Sequence, residues 1–128
     1  MSSYTKGYSA ELELLHTLYD RGWAVLRAPR SGRVGVAAPD LVAIKNSRVI
    51  VIECKSRVGA FTVEADQIGQ LKEWQKRTGA DAYVGWKVSR KGWFFFTVED
   101  VIANGGHLGK KFLTEKAILI DKVFGEAN

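Results

Sequence analysis

The sequence has few of the residues that build covalent cross-links or soft-ligand metal sites. It contains one cysteine, Cys54, which excludes an internal disulfide and a zinc site with several cysteine ligands. Its two histidines, His16 and His107, are far apart in the chain, and no cysteine cluster lies near either of them. We therefore expect any metal ion bound by this chain to be held by oxygen ligands.

Long apolar runs are also absent. No run approaches the roughly 20 residues of a membrane-spanning helix, and runs such as residues 49–52 have the length of a strand. The first seven residues lack the apolar core of a secretory signal peptide. The length of 128 residues predicts one domain, and we expect a cytoplasmic location.

Positive charge is concentrated in one segment. The chain has 19 Lys and Arg residues against 14 Asp and Glu residues, a net charge of +5. Residues 21–57 hold eight of the basic residues and only two acids, Asp40 and Glu53, so this segment alone carries +6. A basic segment of this kind permits a nucleic-acid partner.

Local patterns predict a mixed central sheet flanked by helices, either an α/β or an α+β arrangement, of which we favour α/β. Two prolines, Pro29 and Pro39, bracket a loop that contains two glycines. Helices are expected at residues 9–21, 64–78 and 99–104, and strands at residues 23–27, 40–45, 48–55, 82–87 and 93–98. We treat residues 105–128 as a C-terminal extension of uncertain structure.

The hairpin formed by residues 40–55 predicts a pair of facing carboxylates. If Asn46 and Ser47 form a two-residue turn, Asp40 lies across from Glu53, with Cβ atoms roughly 4.5–5.5 Å apart. Like charges at this distance destabilise a sheet unless a cation lies between them, and a divalent ion bound by carboxylates is the natural resolution. Strand alternation places Lys55 on the same face as Glu53, a grouping that suits phosphodiester hydrolysis.

Two helical residues are polar where an apolar residue is expected. Glu11 begins the face that continues in Leu14 and Leu18, and Gln67 shares a face with Leu71 and Trp74. Both are candidates to point into the site at the sheet. The alternatives are that Glu11 interacts with the helix dipole and that Gln67 is a hydrogen-bonded residue at the edge of the core.

These residues resemble the motifs of the PD-(D/E)XK nuclease superfamily and, within it, of the archaeal Holliday junction resolvases. The core of the similarity is Pro39-Asp40 followed by Glu53-Cys54-Lys55. The similarity extends from about residue 6 to residue 98 and includes Lys6-Gly7, Glu11, Gly22, residues 27–32, residues 52–57 and Gln67. The resemblance implies a restriction-endonuclease-like fold with an α-β-β-β-α-β core.

The resemblance also implies site residues, a cofactor and a partner. Metal-site residues would be Glu11, Asp40, Glu53 and the main-chain carbonyl of Cys54. Lys55 would be the catalytic lysine and Ser31 a loop residue needed for cleavage, with Gln67 as a further catalytic candidate. The family acts as a homodimer that uses Mg²⁺ or Mn²⁺ to nick opposed strands of a four-way DNA junction, so such a protein would associate with the nucleoid when bound to DNA.

Basic residues near the site are candidates for DNA contacts. They are Lys6, Arg27, Arg30, Arg33 and Arg57, together with Ser31. Arg27 has an alternative role as a structural partner of the acidic site, and Arg30 and Arg33 as solvated loop charges. Two other functions stay open, namely a nuclease acting on linear or flap DNA and a non-catalytic DNA-binding module on the same fold.

The aromatic run at residues 93–96 places large rings on both faces of one strand. One face is expected to fill the core, and the other needs a second cover. This cover is either a helix of the same chain or a second copy, and we favour the second copy, because a two-fold junction that is cut twice requires two related sites.

Overall fold

The structure is a computed structural model that describes residues 3–28 and 36–127, with side chains from residue 7 on. The helices and strands follow one another as α1 (Ser3–Asp20), β1 (Ala24–Arg27), β2 (Leu41–Lys45), β3 (Arg48–Arg57), β4 (Phe61–Thr62), α2 (Ala65–Thr78), β5 (Asp81–Val88), β6 (Gly92–Thr97), α3 (Val98–Ala103), β7 (His107–Leu108), α4 (Lys110–Lys116) and α5 (Ile120–Phe124). Helix α1 begins six residues earlier than predicted, because Gly7 does not interrupt it. No helix among these residues is both long and apolar enough to cross a bilayer.

A mixed five-stranded sheet in the order β1-β2-β3-β5-β6 forms the centre of the fold. Strands β3 and β5 are parallel and are joined by a crossover through α2, whereas the other neighbouring strands are antiparallel. The central strand β3 is buried on both faces, since Ile50, Val51 and Ile52 have no exposed surface. The predicted α/β class with a mixed central sheet is confirmed.

Each face of the sheet carries its own core. On one face, Leu14 and Leu18 of α1 and Phe124 of α5 pack against Ile50 and Ile52. On the other face, helices α2, α3 and α4 pack against a second set of strand residues, which includes Val51, Val84 and Phe96. Strand alternation assigns Glu53 to this second face, which we call the α2 face, and the first is the α1 face.

The aromatic run in β6 is covered by the chain's own helices. Phe96 stacks on Phe112 of α4 with ring centroids 5.1 Å apart, and Phe95 meets the edge of Phe124 at 5.3 Å. Both Phe95 and Phe96 have no exposed surface. The interpretation of this run as a contact with a second copy is therefore wrong, because α4 and α5 supply the missing cover.

The C-terminal residues are part of the fold. Strand β7 pairs with β4, and Ile118 and Phe95 exchange two backbone hydrogen bonds as an isolated antiparallel bridge. The indole N–H of Trp23 donates to the carbonyl of Phe124 at 2.8 Å, which ties α5 to the start of β1. The segment treated as an extension of uncertain structure thus completes both cores.

Candidate functional site

The β2–β3 hairpin has the predicted register. Its pairs run from Lys45 opposite Arg48 to Leu41 opposite Ile52. Asn46 and Ser47 both have positive φ, at 50° and 69°, as a two-residue turn of the primed type requires. Regular pairing ends at Leu41, and the preceding residue, Asp40, donates its N–H to the Ile52 carbonyl at 3.0 Å.

Asp40 and Glu53 bring two carboxyl groups together at this end of the hairpin. The Asp40 carboxylate accepts a hydrogen bond from the Cys54 N–H at 2.8 Å. Glu53 is only 5% exposed. Burial, followed by the negative charge of Asp40 and a hydrogen bond between the two carboxyl groups, raises the pKa of Glu53 to about 8, although the charge of Lys55 acts in the opposite direction.

Lys55 is the cation nearest to this pair among the described contacts. Its Nζ lies 3.6 Å from a Glu53 carboxylate oxygen, and its side chain is mostly buried. The next strand residue on the same face would be Arg57, whose side chain is exposed at the end of β3. The lysine is therefore held inside the site, whereas the exposed arginine places its guanidinium over the Phe61 ring, 5.7 Å from the centroid.

The main chain at Cys54 also faces the acidic pair. In an extended strand, the N–H and the C=O of one residue point towards the same neighbour. Because the Cys54 N–H points at Asp40, its carbonyl oxygen is directed to that side as well. The Cys54 carbonyl oxygen, a candidate metal ligand, is thus directed to the side of the two carboxylates.

Gln67 lies in the first turn of α2, the helix that covers the face of Glu53. It is one turn before Leu71, which is fully buried in the core of the α2 face. Its Oε1 is buried and has no hydrogen-bond partner among the described residues. A buried acceptor of this kind is available to a proton donor or to a cation.

Glu11 is not brought together with Asp40 and Glu53. It is 2% exposed on α1, which packs on the opposite face of the sheet, and it accepts a hydrogen bond from Arg27 Nε at 2.9 Å. The Arg27 guanidinium also lies over the Tyr8 ring, 4.5 Å from its centroid. Arg27 is thus an ion-pair partner of Glu11, and its candidate role in DNA contacts stays a prediction.

Several candidate residues lie outside the described part of the chain. They are Arg30, Ser31 and Arg33, and the side chain of Lys6. Within the described part, no group of three or more His, Cys, Asp or Glu residues is arranged to hold a metal ion. The assembled part of the candidate site therefore consists of Asp40, Glu53, Lys55 and the main chain of Cys54.

Sequence reasoning missed the contribution of Trp74 to this site. Its indole N–H donates to the carbonyl of Ala37 at 2.8 Å, and Ala37 precedes Asp40 by three residues. Helix α2 thus anchors the chain just ahead of Asp40. The sequence showed that Trp74 shares a helix face with Gln67, but this pattern does not predict that the indole binds a carbonyl outside the helix.

The donor set suits a hard divalent cation. Two carboxylates and a directed carbonyl are oxygen ligands of the kind that Mg²⁺ and Mn²⁺ prefer. Burial and then the charge of Asp40 raise the pKa of Glu53, so a second negative charge at this position is disfavoured. A cation between them would relieve that repulsion, and the adjacent ammonium group would face whatever anion the cation binds.

Comparison with known proteins identifies the family. The model of the archaeal Holliday junction resolvase family (Hjc) matches residues 2–127. The chain belongs to this family. The match covers the C-terminal helices α4 and α5 as well as the motif-bearing strands, and the resemblance inferred from the motifs is confirmed.

Curated members of the Hjc family share about a third of the aligned residues. The crossover junction endodeoxyribonuclease Hjc of Sulfolobus acidocaldarius is 37% identical over 93 residues, covering 70% of this chain and 65% of that protein. The protein of the same name from Archaeoglobus fulgidus is 36% identical over 96 residues, covering 74% and 71%. The chain thus matches slightly less than two thirds of the length of the Sulfolobus protein.

Solved structures extend the similarity to most of the chain. The Hjc structure of A. fulgidus, described as a Holliday junction resolvase, superposes with a TM-score of 0.84 and 29% identity, covering 93% of this chain and all of that one. The bacterial homing endonuclease I-Ssp6803I gives a TM-score of 0.56 at 19% identity, covering 85% and 76%. The second similarity concerns the fold alone, and both support the predicted nuclease-type architecture.

Proposed function

We propose that this Hjc-family chain is a metal-dependent endonuclease that resolves four-way DNA junctions in recombination and repair. The observation that carries the proposal is the contact between the Asp40 and Glu53 carboxyl groups, with the Lys55 ammonium group 3.6 Å from Glu53. The names of the curated relatives, crossover junction endodeoxyribonucleases, give the substrate class.

In this proposal, Asp40, Glu53 and the Cys54 carbonyl hold Mg²⁺, and Mn²⁺ substitutes for it. The bound ion supplies Lewis acidity at a phosphodiester and lowers the pKa of water. Glu11 is a further candidate ligand, and one oxygen of its carboxylate is paired with Arg27 in this structure. The assembled carboxylates therefore carry the metal-binding part of the proposal.

The remaining residues act on the phosphate and on the attacking water. Lys55 places its ammonium group beside Glu53, where it orients the water or stabilises the negative charge that develops on the phosphate. The buried Oε1 of Gln67 accepts a hydrogen bond from a water molecule and helps to orient it. In-line attack then leaves a 5′-phosphate and a 3′-hydroxyl end.

Junction DNA lies on the basic part of the chain in this proposal. Arg57 is exposed at the end of the strand that carries Glu53 and Lys55, and the other candidate contacts are those named from the sequence: Lys6, Arg27, Arg30, Ser31 and Arg33. No element among the described residues has the features of a major-groove recognition helix, so selectivity is expected to come from backbone geometry and charge placement. A homodimer would present two such sites to the two-fold junction.

Neutralising either carboxylate tests the site. Asp40→Asn and Glu53→Gln should abolish Mg²⁺-dependent cleavage of a synthetic four-way junction, while junction binding is retained or strengthened because negative charge is removed. Glu115→Gln is the control, since Glu115 is exposed on α4 and pairs only loosely with Lys111 at 3.9 Å. Cleavage at the wild-type rate by either active-site variant would overturn the assignment.

A matched pair of substrates tests the substrate class. Linear duplexes that contain the same arm sequences should be cleaved much more slowly than the junction. Equal cleavage of both substrates would support a nuclease for linear or flap DNA instead. Salt-dependent binding without any metal-dependent cleavage would support a non-catalytic binding module.

A further inference from the structure

A second basic surface lies at the same end of the sheet as the candidate site. Strands β3 and β5 are parallel, so both leave the core at this end, with Arg57 in register with Val88. Along β3, Arg57 lies four positions after Glu53, a distance of about 13 Å at the rise of an extended strand. The turn between β5 and β6 begins directly after Val88.

Beyond the acids Asp40 and Glu53 of the candidate site, the two segments that leave the sheet at this end contain only basic residues among their charged residues. Residues 54–63, which lead out of β3, contain Lys55 and Arg57 and no acid. Residues 82–98, which include the β5–β6 turn, contain Lys87, Arg90 and Lys91 and also no acid. Lys87 is paired with Glu13 of α1, whereas Arg90 and Lys91 are exposed at the tip of the turn.

The backbone of this turn suits glycine better than arginine. The Lys91 N–H donates to the Val88 carbonyl at 3.0 Å and closes a four-residue turn in which Arg90 is the third residue. Arg90 has a φ of 67°, in the region that favours glycine at this position of a turn. Local stability therefore does not account for the arginine, and its exposed charge is the feature that requires an explanation.

We propose that Arg90 and Lys91, at the tip of the β5–β6 turn, form a DNA-backbone contact surface that continues from Arg57 beyond the catalytic site. The ligand is the phosphodiester backbone of a duplex arm, because two adjacent cations without neighbouring acids provide charge but no pattern for reading base edges. This inference rests on the proposed function, since it extends the DNA path away from the site of cleavage.

Binding of a four-way junction without divalent metal tests the surface. Arg90→Gly combined with Lys91→Ala should weaken binding about fivefold at about 0.1 M salt, and should lower the slope of log affinity against log salt by about one for each phosphate that the variant no longer binds. Lys122→Ala is the control, because Lys122 is exposed on α5, which contacts Arg48 at the opposite end of β3. The control should retain the wild-type slope.

A thermal melt distinguishes weaker DNA binding from a damaged fold. Arg90→Gly alone should melt at the wild-type temperature or above it, because glycine fits the positive φ. A wild-type salt slope in the double variant would overturn the proposal. If the wild-type protein binds the junction but does not cleave it after Mg²⁺ is added, the proposed function fails, while the salt slopes still decide the role of the turn. An absence of salt-dependent binding by the wild type would overturn both.

Discussion

At the scale of single residues, Glu53 has an environment far from that of a carboxylate in water. It is buried beside a second carboxyl group, and Lys55 compensates this only in part. In the metal-free protein, this environment raises the pKa of Glu53 to about 8, so its carboxyl group stays protonated up to about that pH. A bound divalent cation would replace the proton, so metal affinity should rise with pH over the same range.

Stability of the metal-free protein should fall as pH rises through this range. The folded-state pKa of Glu53, about 8, lies above its ordinary value of 4.5, so the folded state binds more protons than the unfolded state between these values. The free energy of unfolding should therefore decrease from about pH 5 to about pH 8, by at most about 1.4 kcal/mol per pH unit. Urea denaturation in EDTA measures this slope.

Glu53→Gln supplies the matched comparison for that measurement. The variant should lose most of the decrease, whereas Glu115→Gln should retain it, because Glu115 lies on α4 outside the acidic pair. An identical pH dependence in the wild type and in Glu53→Gln would show that the carboxylate does not carry the raised pKa.

Glu11 and Arg27 form the second pair of coupled charges. Arg27→Met leaves the Glu11 carboxylate buried without this cation, at a cost of about 3 kcal/mol of unfolding free energy. The double variant Glu11→Leu/Arg27→Met should recover much of this decrease, since neither charge of the pair then remains. A double-mutant cycle by chemical denaturation measures the coupling, and additive effects would contradict the pairing.

At the scale of helices and strands, local signals were sufficient for the hairpin and for α2. Asn46 and Ser47 adopt the positive φ that a two-residue turn needs, and Gly79 ends α2 at a φ of 73°. The short elements near the C-terminus had no such signals. Helix α5 has five residues, too few for intrinsic helix propensity, and tertiary contacts such as those of Phe124 with Trp23 and Phe95 define it.

Phe124→Ala tests whether α5 belongs to the core. Phe124 is 2% exposed and contacts the rings of both Trp23 and Phe95, so its truncation should cost about 3 kcal/mol of unfolding free energy. Leu119→Ala is the control, because Leu119 is 61% exposed and should be nearly neutral. Equal effects of the two substitutions in a denaturation experiment would show that α5 is a loosely attached tail.

At the scale of the whole molecule, hairpin pairing and strand alternation could place three site residues but could not place a helix. Asp40, Glu53 and Lys55 follow from a two-residue turn and from strand alternation. Helical periodicity indicated that Glu11 faces inwards, but not which side of the sheet α1 covers. That choice depends on the packing of Leu14 and Leu18 against Ile50 and Ile52, contacts between residues distant in the chain.

As a whole molecule, the protein is proposed to be a junction-resolving enzyme. The most direct measurement is incubation of the protein with a synthetic four-way junction, with and without Mg²⁺, and mapping of the nicks on all four strands. We predict Mg²⁺-dependent nicks at symmetry-related positions on two opposed strands, with 5′-phosphate ends. Unpaired nicks scattered over all four strands, or no nicks when the junction is bound and Mg²⁺ is present, would contradict this account.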